Sequence, residues 1–335
     1  MSIVYRLNNS FNNGLEVVKT SEKKRIIDLL IKKQTSLLHN QYVNYRYKKG
    51  YSSHELLIKK VKSLLNNTIK DIFVFHIMKD EEVYLVSINV SKWDEDHFGF
   101  KMAKLDIVSF PSNSVGAKET LENLIDVAVN FIKLNGVKFV SSRLNGDLIN
   151  AIHVLEDVGF RYYDCVIWPI MKVQVIENKN SVRFYKKEDI PEILEIAKSS
   201  QYSRGHYYCD ALFDKDLVDA MYIKWVESAI VNKNQITVIE KDGKVVGFFI
   251  FKLDSELEKD TGFKYARLNL LAISKNVRGQ GFGKELFRET LVLATSLGVD
   301  YIDSGYSTKN HISANLHSKN NFQSVYEEVT MHLWL

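Results

Sequence analysis

The chain has 335 residues, 45% of them hydrophobic and 26% charged, and a formal net charge of +4. That length exceeds one ordinary domain and suits two lobes of about 150 residues each, and the composition is globular rather than disordered. No apolar run approaches the ~20 residues that a bilayer span needs, no basic flank and apolar block open the sequence, and the two cysteines, Cys165 and Cys209, are too few for a disulfide framework or a zinc site.

Charge is concentrated at the start. Residues 1–70 carry 14 Lys/Arg against 4 Asp/Glu, in clusters such as Lys23-Lys24-Arg25, Lys32-Lys33, Lys48-Lys49 and Lys59-Lys60. Such clusters read first as solvated helix faces. The alternative is an anion-binding surface, to which Tyr42, Tyr45, Tyr47 and Tyr51 could add stacking. A helix pattern, IIDLLIKKQTSLLH, is followed by two β-branched runs, IFVFHIM and VYLVSINV, joined across Lys79-Asp80. A long amphipathic run, ETLENLIDVAVNFIKLNG, leads into the strand GVKFVSS. A short polar stretch, Glu177-Asn178-Lys179-Asn180-Ser181, is the best seam.

Beyond the seam the pattern repeats. Gly136 to Phe160 and Gly298 to Phe322 are both 24 residues apart, and an offset of 162 also pairs Lys79-Asp80 with Lys241-Asp242. The second copy has the helix EDIPEILEIAKSSQ and the runs QITVIE and VVGFFIF joined across Asp242-Gly243, a hairpin signal. The helix KELFRETLVLATSLG and the strand Val299-Asp300-Tyr301-Ile302-Asp303-Ser304 follow. Each copy reads helix, helix, hairpin, strand, long helix, strand, helix, strand. The expected fold is α/β, an α+β sandwich of two tandem lobes over residues 1–177 and 178–335, each a mixed, mostly antiparallel sheet flanked by helices.

The chemistry-bearing segment lies in the second copy. A strand over residues 268–273 ends, and a helix begins near Lys284. Between them stands Arg278-Gly279-Gln280-Gly281-Phe282-Gly283. Glycines admit positive φ and let backbone approach a ligand. Successive amides at a helix N-terminus make a cradle for a pyrophosphate. The spacing is neither the dinucleotide fingerprint nor a GxxxxGK[ST] loop.

Arg278, Gly281 and Gly283 fill the [RQ]xxGx[GA] pattern, and the segment resembles the acetyl-CoA loop of GNAT-type N-acetyltransferases. Downstream, Asn310, Leu316 and Phe322 match that family's NxxAxxLYxxxGF pattern. Ser313 stands in place of its alanine, His317 in place of its tyrosine and Asn321 in place of its glycine. The resemblance implies GNAT-like lobes and acetyl-CoA as co-substrate. It implies a cofactor site at Leu271, Ile273, Arg278, Gly279, Gln280, Gly281, Phe282, Gly283, Lys284 and Asn310, the last against the pantetheine arm. It also implies that His317 is the group that protonates the departing CoA sulfur. At the same offset the first copy has Ala117, Glu119 and Leu121 against the three glycines, and Leu155 against His317. It is therefore expected to keep the scaffold without the cofactor chemistry.

Two further stretches, Trp93-Asp94-Glu95-Asp96-His97-Phe98-Gly99-Phe100 and Ser203-Arg204-Gly205-His206-Tyr207 leading to Tyr222 and Trp225, resemble two-lobed acetyltransferases similar to TDP-fucosamine acetyltransferase. That resemblance implies an amino-sugar acceptor linked to a nucleotide. His206 and Glu227 read equally as acceptor-site groups or as ordinary polar positions. No metal-ligand spacing is present.

The expected activity is transfer of acetyl from acetyl-CoA to a primary amine of a small molecule in the cytoplasm. The rivals are a peptide, protein or metabolite amine as acceptor, a CoA-binding sensor without turnover, and a nucleic-acid-associated protein using the basic N-terminus, the least expected partner. A homodimer is an open alternative to a monomer.

Overall fold

A computed structural model describes residues 3–6, 20–32, 53–66, 71–173, 181–199 and 204–335. The tyrosines at 42, 45, 47 and 51, the lysines at 33, 48 and 49 and most of the expected seam lie outside the described residues. Among the described residues no helix is long and apolar enough to cross a membrane.

The chain divides into two compact units. The first holds β1 (Ile3–Arg6), α1 (Thr20–Lys32), α2 (Ser53–Asn66), β2 (Ile72–Lys79), β3 (Glu82–Ser91), α3 (Lys92–Phe98), β4 (Lys101–Ser109), α4 (Ala117–Leu134), β5 (Val137–Asn145) and α5 (Ile149–Asp157). After β6 (Arg161–Lys172), the second holds β7 (Val182–Phe184), α6 (Ile190–Ser199), α7 (His206–Cys209), α8 (Lys215–Val231), β8 (Gln235–Lys241), β9 (Lys244–Leu253) and α9 (Ser255–Thr261). It continues through β10 (Tyr265–Ile273), α10 (Phe282–Ser296), β11 (Tyr301–Ser304), β12 (Tyr306–Ser307) and α11 (His311–Lys319), and the chain ends in β13 (Gln323–Trp334).

The expected element order is present in both units, with one further helix, α3, in the first and two, α7 and α9, in the second. α3 and α9 link the hairpin to the next strand. Ser91 caps α3 by accepting from the Asp94 amide, and Asp254 caps α9 by accepting from the Leu257 amide. Each helix ends on a left-handed glycine, Gly99 at φ +77° and Gly262 at φ +71°.

The strand order in the first unit is β1-β2-β3-β4-β5-β13, and in the second β6-β11-β10-β9-β8-β7. Neighbours are antiparallel except β4 with β5 and β10 with β11, which are parallel. The two outermost assignments cross the sequence. β13 pairs with β5 from Glu328↔Asn145 to Trp334↔Phe139, so the chain's last strand completes the first unit. β6 pairs with β11 through Ile170↔Asp303, Met171↔Ile302 and Lys172↔Tyr301, so the first copy's last strand completes the second unit. The units run from Met1 to Cys165 with Tyr326–Leu335, and from Val166 to Val325. A cut at residue 177 separates two lobes by sequence but not by strand pairing.

α4 buries Leu121, Leu124, Ile125, Ala128, Val129 and Ile132, a helical stripe facing the sheet residues Ala103, Leu105, Val140 and Leu144. α10 buries Leu286, Phe287, Leu291 and Ala294 against Phe249, Phe251, Ala266 and Leu268. It also carries Thr290, whose hydroxyl lies 2.6 Å from that of Thr237 on β8, both fully buried. On the opposite face of the second sheet, α6 and α8 cover Ile236, Val238, Phe248, Ile250, Leu270 and Ala272.

Candidate active site

β10 is the strand on which the site is built. It pairs antiparallel with β9, and the register slips between Leu268 and Leu270, so Asn269 is the extra residue of a bulge. On its other edge β10 meets β11 only from Tyr265↔Tyr301 to Leu268↔Ser304. Beyond Ser304 the chain follows β6 instead, with Tyr306 opposite Ile167. Leu270 to Ile273 therefore have a strand on one side and an open edge on the other.

Alternation decides which backbone groups face that opening. The Ser274 amide donates to Val246 at 2.8 Å, so Ser274, Ala272 and Leu270 point their N–H and C=O toward β9. Leu271 and Ile273 point theirs to the open edge. The carbonyl of Ile273 accepts from Nε of Arg278 at 3.1 Å, which ties the following loop to the end of the strand.

The loop then turns through a 3₁₀ segment, Lys275–Val277, and two left-handed glycines, Gly279 at φ +79° and Gly281 at φ +93°. Gly281 is the N-cap of α10, and no side chain caps the helix. The amides of Gly279, Gly281, Phe282 and Gly283 have no hydrogen-bond acceptor among the described residues. A Cβ on Gly279 or Gly281 would meet nothing within 4 Å, so open space lies in front of both. These orphan donors converge at the positive end of a helix dipole. They fit a pyrophosphate, and the exposed Arg278 and Lys284 add charge at the rim. Lys241 braces the loop by donating to Oε1 of Gln280 at 3.0 Å, and Gln280 donates to the Asn276 carbonyl at 3.3 Å.

Gly283 behaves differently: a Cβ there would lie 3.5 Å from Ile273, an ordinary contact. Gly247 on β9 is the glycine that packing demands. A Cβ there would fall 2.4 Å from Cδ1 of Ile273 and 3.2 Å from the Ala272 carbonyl. It stands in a strand with no motif around it, and its one sequence signal was a glycine interrupting the run VVGFFIF.

Asn310 caps α11, its Oδ1 accepting from the Ser313 amide at 3.2 Å and from Arg204 at 3.3 Å. The side-chain oxygen expected against pantetheine thus already has two donors within the protein. His317, one helical turn beyond Ser313, is 3% exposed. Its ring packs edge-on against Phe287 and Phe322 and at 34° to Tyr306, with centroids 4.8–4.9 Å apart. Nδ1 lies 2.7 Å from the Ser313 carbonyl, which can only accept, so Nδ1 carries the hydrogen. Nε2 is then a bare lone pair, buried and without a partner. Burial pushes the imidazole down to about 4, against the smaller opposing pull of the Ser313 carbonyl. A proton-donating role for His317 meets this obstacle: in the resting protein Nδ1 is engaged with the Ser313 carbonyl and Nε2 has no proton to give.

The residues flanking the other face are partly brought together. Arg204 reaches the Lys309 carbonyl as well as Asn310. His206 rests on Tyr207, and Tyr208 donates to Asp219, so burial and that carboxylate push its phenol up to about 12. Glu227 is exposed on α8, as an ordinary polar position would be.

A strand with one open edge and a bulge, followed by a glycine loop feeding uncapped amides into a helix, makes a concave anion-accepting site. Residues 191–322 match the family model described as Acetyltransferase (GNAT) family. Among solved structures, the chain is similar to a GCN5-related N-acetyltransferase from Sphaerobacter thermophilus, at 10% identity over 100% of this chain and 95% of that one, with a TM-score of 0.61. It is also similar to a tandem GNAT protein from the clavulanic acid biosynthesis pathway, at 10% identity over 100% and 98% of the two chains, with a TM-score of 0.53. No curated protein matches the chain. At these identities the likeness is one of fold: mixed sheets flanked by helices in a tandem GNAT arrangement.

Proposed function

We propose that the chain is an acetyl-CoA-dependent N-acetyltransferase whose catalytic lobe is the second copy, within residues 178–335, the first copy serving as a degenerate scaffold. The observation that carries this reading is the set of four unaccepted amides between Gly279 and Gly283, set beside the open edge of β10. The loop amides would hold the pyrophosphate of acetyl-CoA. The outward N–H groups of Leu271 and Ile273 would take the pantetheine carbonyl and polarise the thioester carbonyl as an oxyanion donor. A neutral primary amine would attack that carbonyl directly, with orientation of two bound substrates as the protein's main contribution.

The acceptor we favour is a small-molecule amine, with a nucleotide-linked amino sugar as the first candidate. That choice is supported by the resemblance of the segments around Trp93 and Arg204 to two-lobed amino-sugar acetyltransferases. The test is an acetyl-CoA turnover screen over small amines, peptides and nucleotide-linked amino sugars, read as release of CoA thiol. Tight CoA binding with no turnover on any amine would favour the sensor reading instead.

A further inference from the structure

The exchanged strands carry the repeat to the outer corner of each sheet. His332 on β13 pairs with Ser141 on β5, and Ile170 on β6 pairs with Asp303 on β11, each residue standing 162 positions from its counterpart. Two residues along, the second unit has Trp168 beside Gly305, where a Cβ would lie 3.2 Å from the indole ring. At the same offset the first unit has Thr330 opposite Arg143. One corner is filled by a ring, and the other is built of a hydroxyl and a guanidinium.

The two faces of β5 and β13 are unlike. Val140, Leu144 and Met331 belong to the apolar core of the first unit, and Val329 and Leu333 pack against it. Alternation puts Ser141, Arg143 and Asn145 on the opposite face, with His332, Thr330 and Glu328 directly across from them. All six can hydrogen-bond, yet none is exposed: Thr330 and His332 are buried and the other four half-buried. Thr330 Oγ1 has no hydrogen-bond partner. The Arg143 guanidinium has no acceptor among the described residues. A buried polar group left unpaired costs free energy, and natural folds keep few of them.

Charge points the same way. Lys104, paired in register with Ser141, lies 3.0 Å from Asp106. Lys60 of α2 faces Asp106, Lys104 and Glu328, and burial holds its ammonium below the usual lysine range against the pull of Asp106. The cations Lys60, Lys104 and Arg143 here meet two carboxylates, Asp106 and Glu328, which leaves one positive charge unbalanced.

We propose that this face of the first unit is a binding site for a small oxyanion, a carboxylate or a phosphate group, held by the Arg143 guanidinium and the Thr330 hydroxyl. A guanidinium offers two parallel N–H donors to such a group, the hydroxyl adds a third, and the ligand's charge balances the remaining cation. The copy without the glycine loop then carries a ligand site of its own, whether or not the second copy transfers acetyl.

The probes are inorganic phosphate and acetate, titrated by calorimetry into the full chain carrying Gly281→Val, so that the glycine loop does not add to the signal. Adding Arg143→Met is expected to weaken the tighter probe by at least about tenfold, and Thr330→Val by about fivefold. Tighter phosphate would identify a phosphate group as the ligand and tighter acetate a carboxylate; either supports the site. Affinity unchanged by Arg143→Met, or no binding of either probe at millimolar concentration, overturns the proposal. Stability without a probe gives a second reading. Thr330→Val should keep or raise the urea midpoint, because it deletes an unsatisfied hydroxyl. A lowered midpoint would show that the hydroxyl is already satisfied within the fold, and would overturn its place in the site.

Discussion

α4 and α10 end alike and begin differently. Gly136 and Gly298 follow them at φ +80° and +77°, 162 positions apart, whereas their N-caps, Gly116 and Gly281, are 165 apart. The first unit winds three further residues into the start of its helix. Its preceding loop also turns its amides on itself: Ser114 donates to the Pro111 carbonyl at 3.0 Å and Ala117 to that of Ser114 at 3.1 Å. Gly116 keeps a left-handed φ of +69°, but a Cβ there would sit 3.3 Å from the ammonium of Lys79, while one on Gly281 would meet open space. Both units part their parallel strands and both carry a long uncapped helix, so an anion cradle is not a property of the fold. It depends on a loop whose glycines keep its amides pointing outward, unwound by three residues.

The largest effect is expected from separating the copies. A chain of residues 178–335 lacks β6, which pairs with β11, and carries β13 without its partner β5. An unpaired strand exposes its whole ladder of backbone donors and acceptors. Circular dichroism should show no cooperative thermal transition for this fragment, and calorimetry no CoA binding. A cooperative melt with CoA affinity equal to the full chain would show that the exchanged strands are dispensable.

The twin glycines sharpen the comparison directly. Gly281→Val imposes a β-branched side chain on φ +93° and places it in the space before the orphan amides. CoA affinity should fall by about 100-fold or more, roughly 2.7 kcal/mol. Gly116→Val carries similar backbone strain, about 1–2 kcal/mol, yet should leave CoA affinity within about twofold. A loss of CoA binding in Gly116→Val as well would mean that both units bind the nucleotide, as would two equivalents of CoA per parent chain.

How much of this was legible in the sequence depends on range. The long helices show because their stripes repeat over several turns, and the glycine loop shows because Arg278, Gly281 and Gly283 are contiguous with it. α3 and α9 are only seven residues long. At that length periodicity carries no signal, and only the caps Ser91 and Asp254 and the stop glycines Gly99 and Gly262 mark them. The strand exchange is a choice between distant partners for which local pattern gives no preference. His317 matched a family tyrosine by spacing, but spacing says nothing of burial or tautomer.

His317 and Leu155 occupy the same core position, and pH separates them. A histidine held near 4 when folded and near 6.5 when unfolded binds a proton in the unfolded chain first. The stability it confers by staying neutral is complete above about pH 6.5 and is lost as pH falls toward 4. The loss is on the order of 2–3 kcal/mol over that window. Urea denaturation of the parent should show that decline superimposed on the carboxylate contribution below it, where Asp189, held down chiefly by Arg183, also gives up its ion pair. In His317→Leu the stability curve between pH 6.5 and 4.5 should flatten. An unchanged slope would show that the imidazole is hydrated in solution.

The smallest effect tests how α10 is held while it presents its N-terminus. Thr290 and Thr237 share a hydrogen bond of 2.6 Å between helix and sheet, and both are fully buried. The Thr237 hydroxyl also lies 3.3 Å from the Phe249 carbonyl. At offset 162 the counterpart of Thr290 is Ala128, one of the apolar core residues of the first unit. A polar pair has therefore replaced an apolar contact in the lobe with the glycine loop. Thr290→Val keeps the volume and removes one partner, but Thr237 can still donate to Phe249. The cost should be about 1 kcal/mol, lowering the denaturation midpoint without changing its slope. CoA affinity should hardly move, because α10 stays packed through Leu286, Phe287 and Leu291. A drop in CoA affinity of tenfold with that small a stability change would mean that the threonine pair sets the helix position, and with it the aim of the four amides.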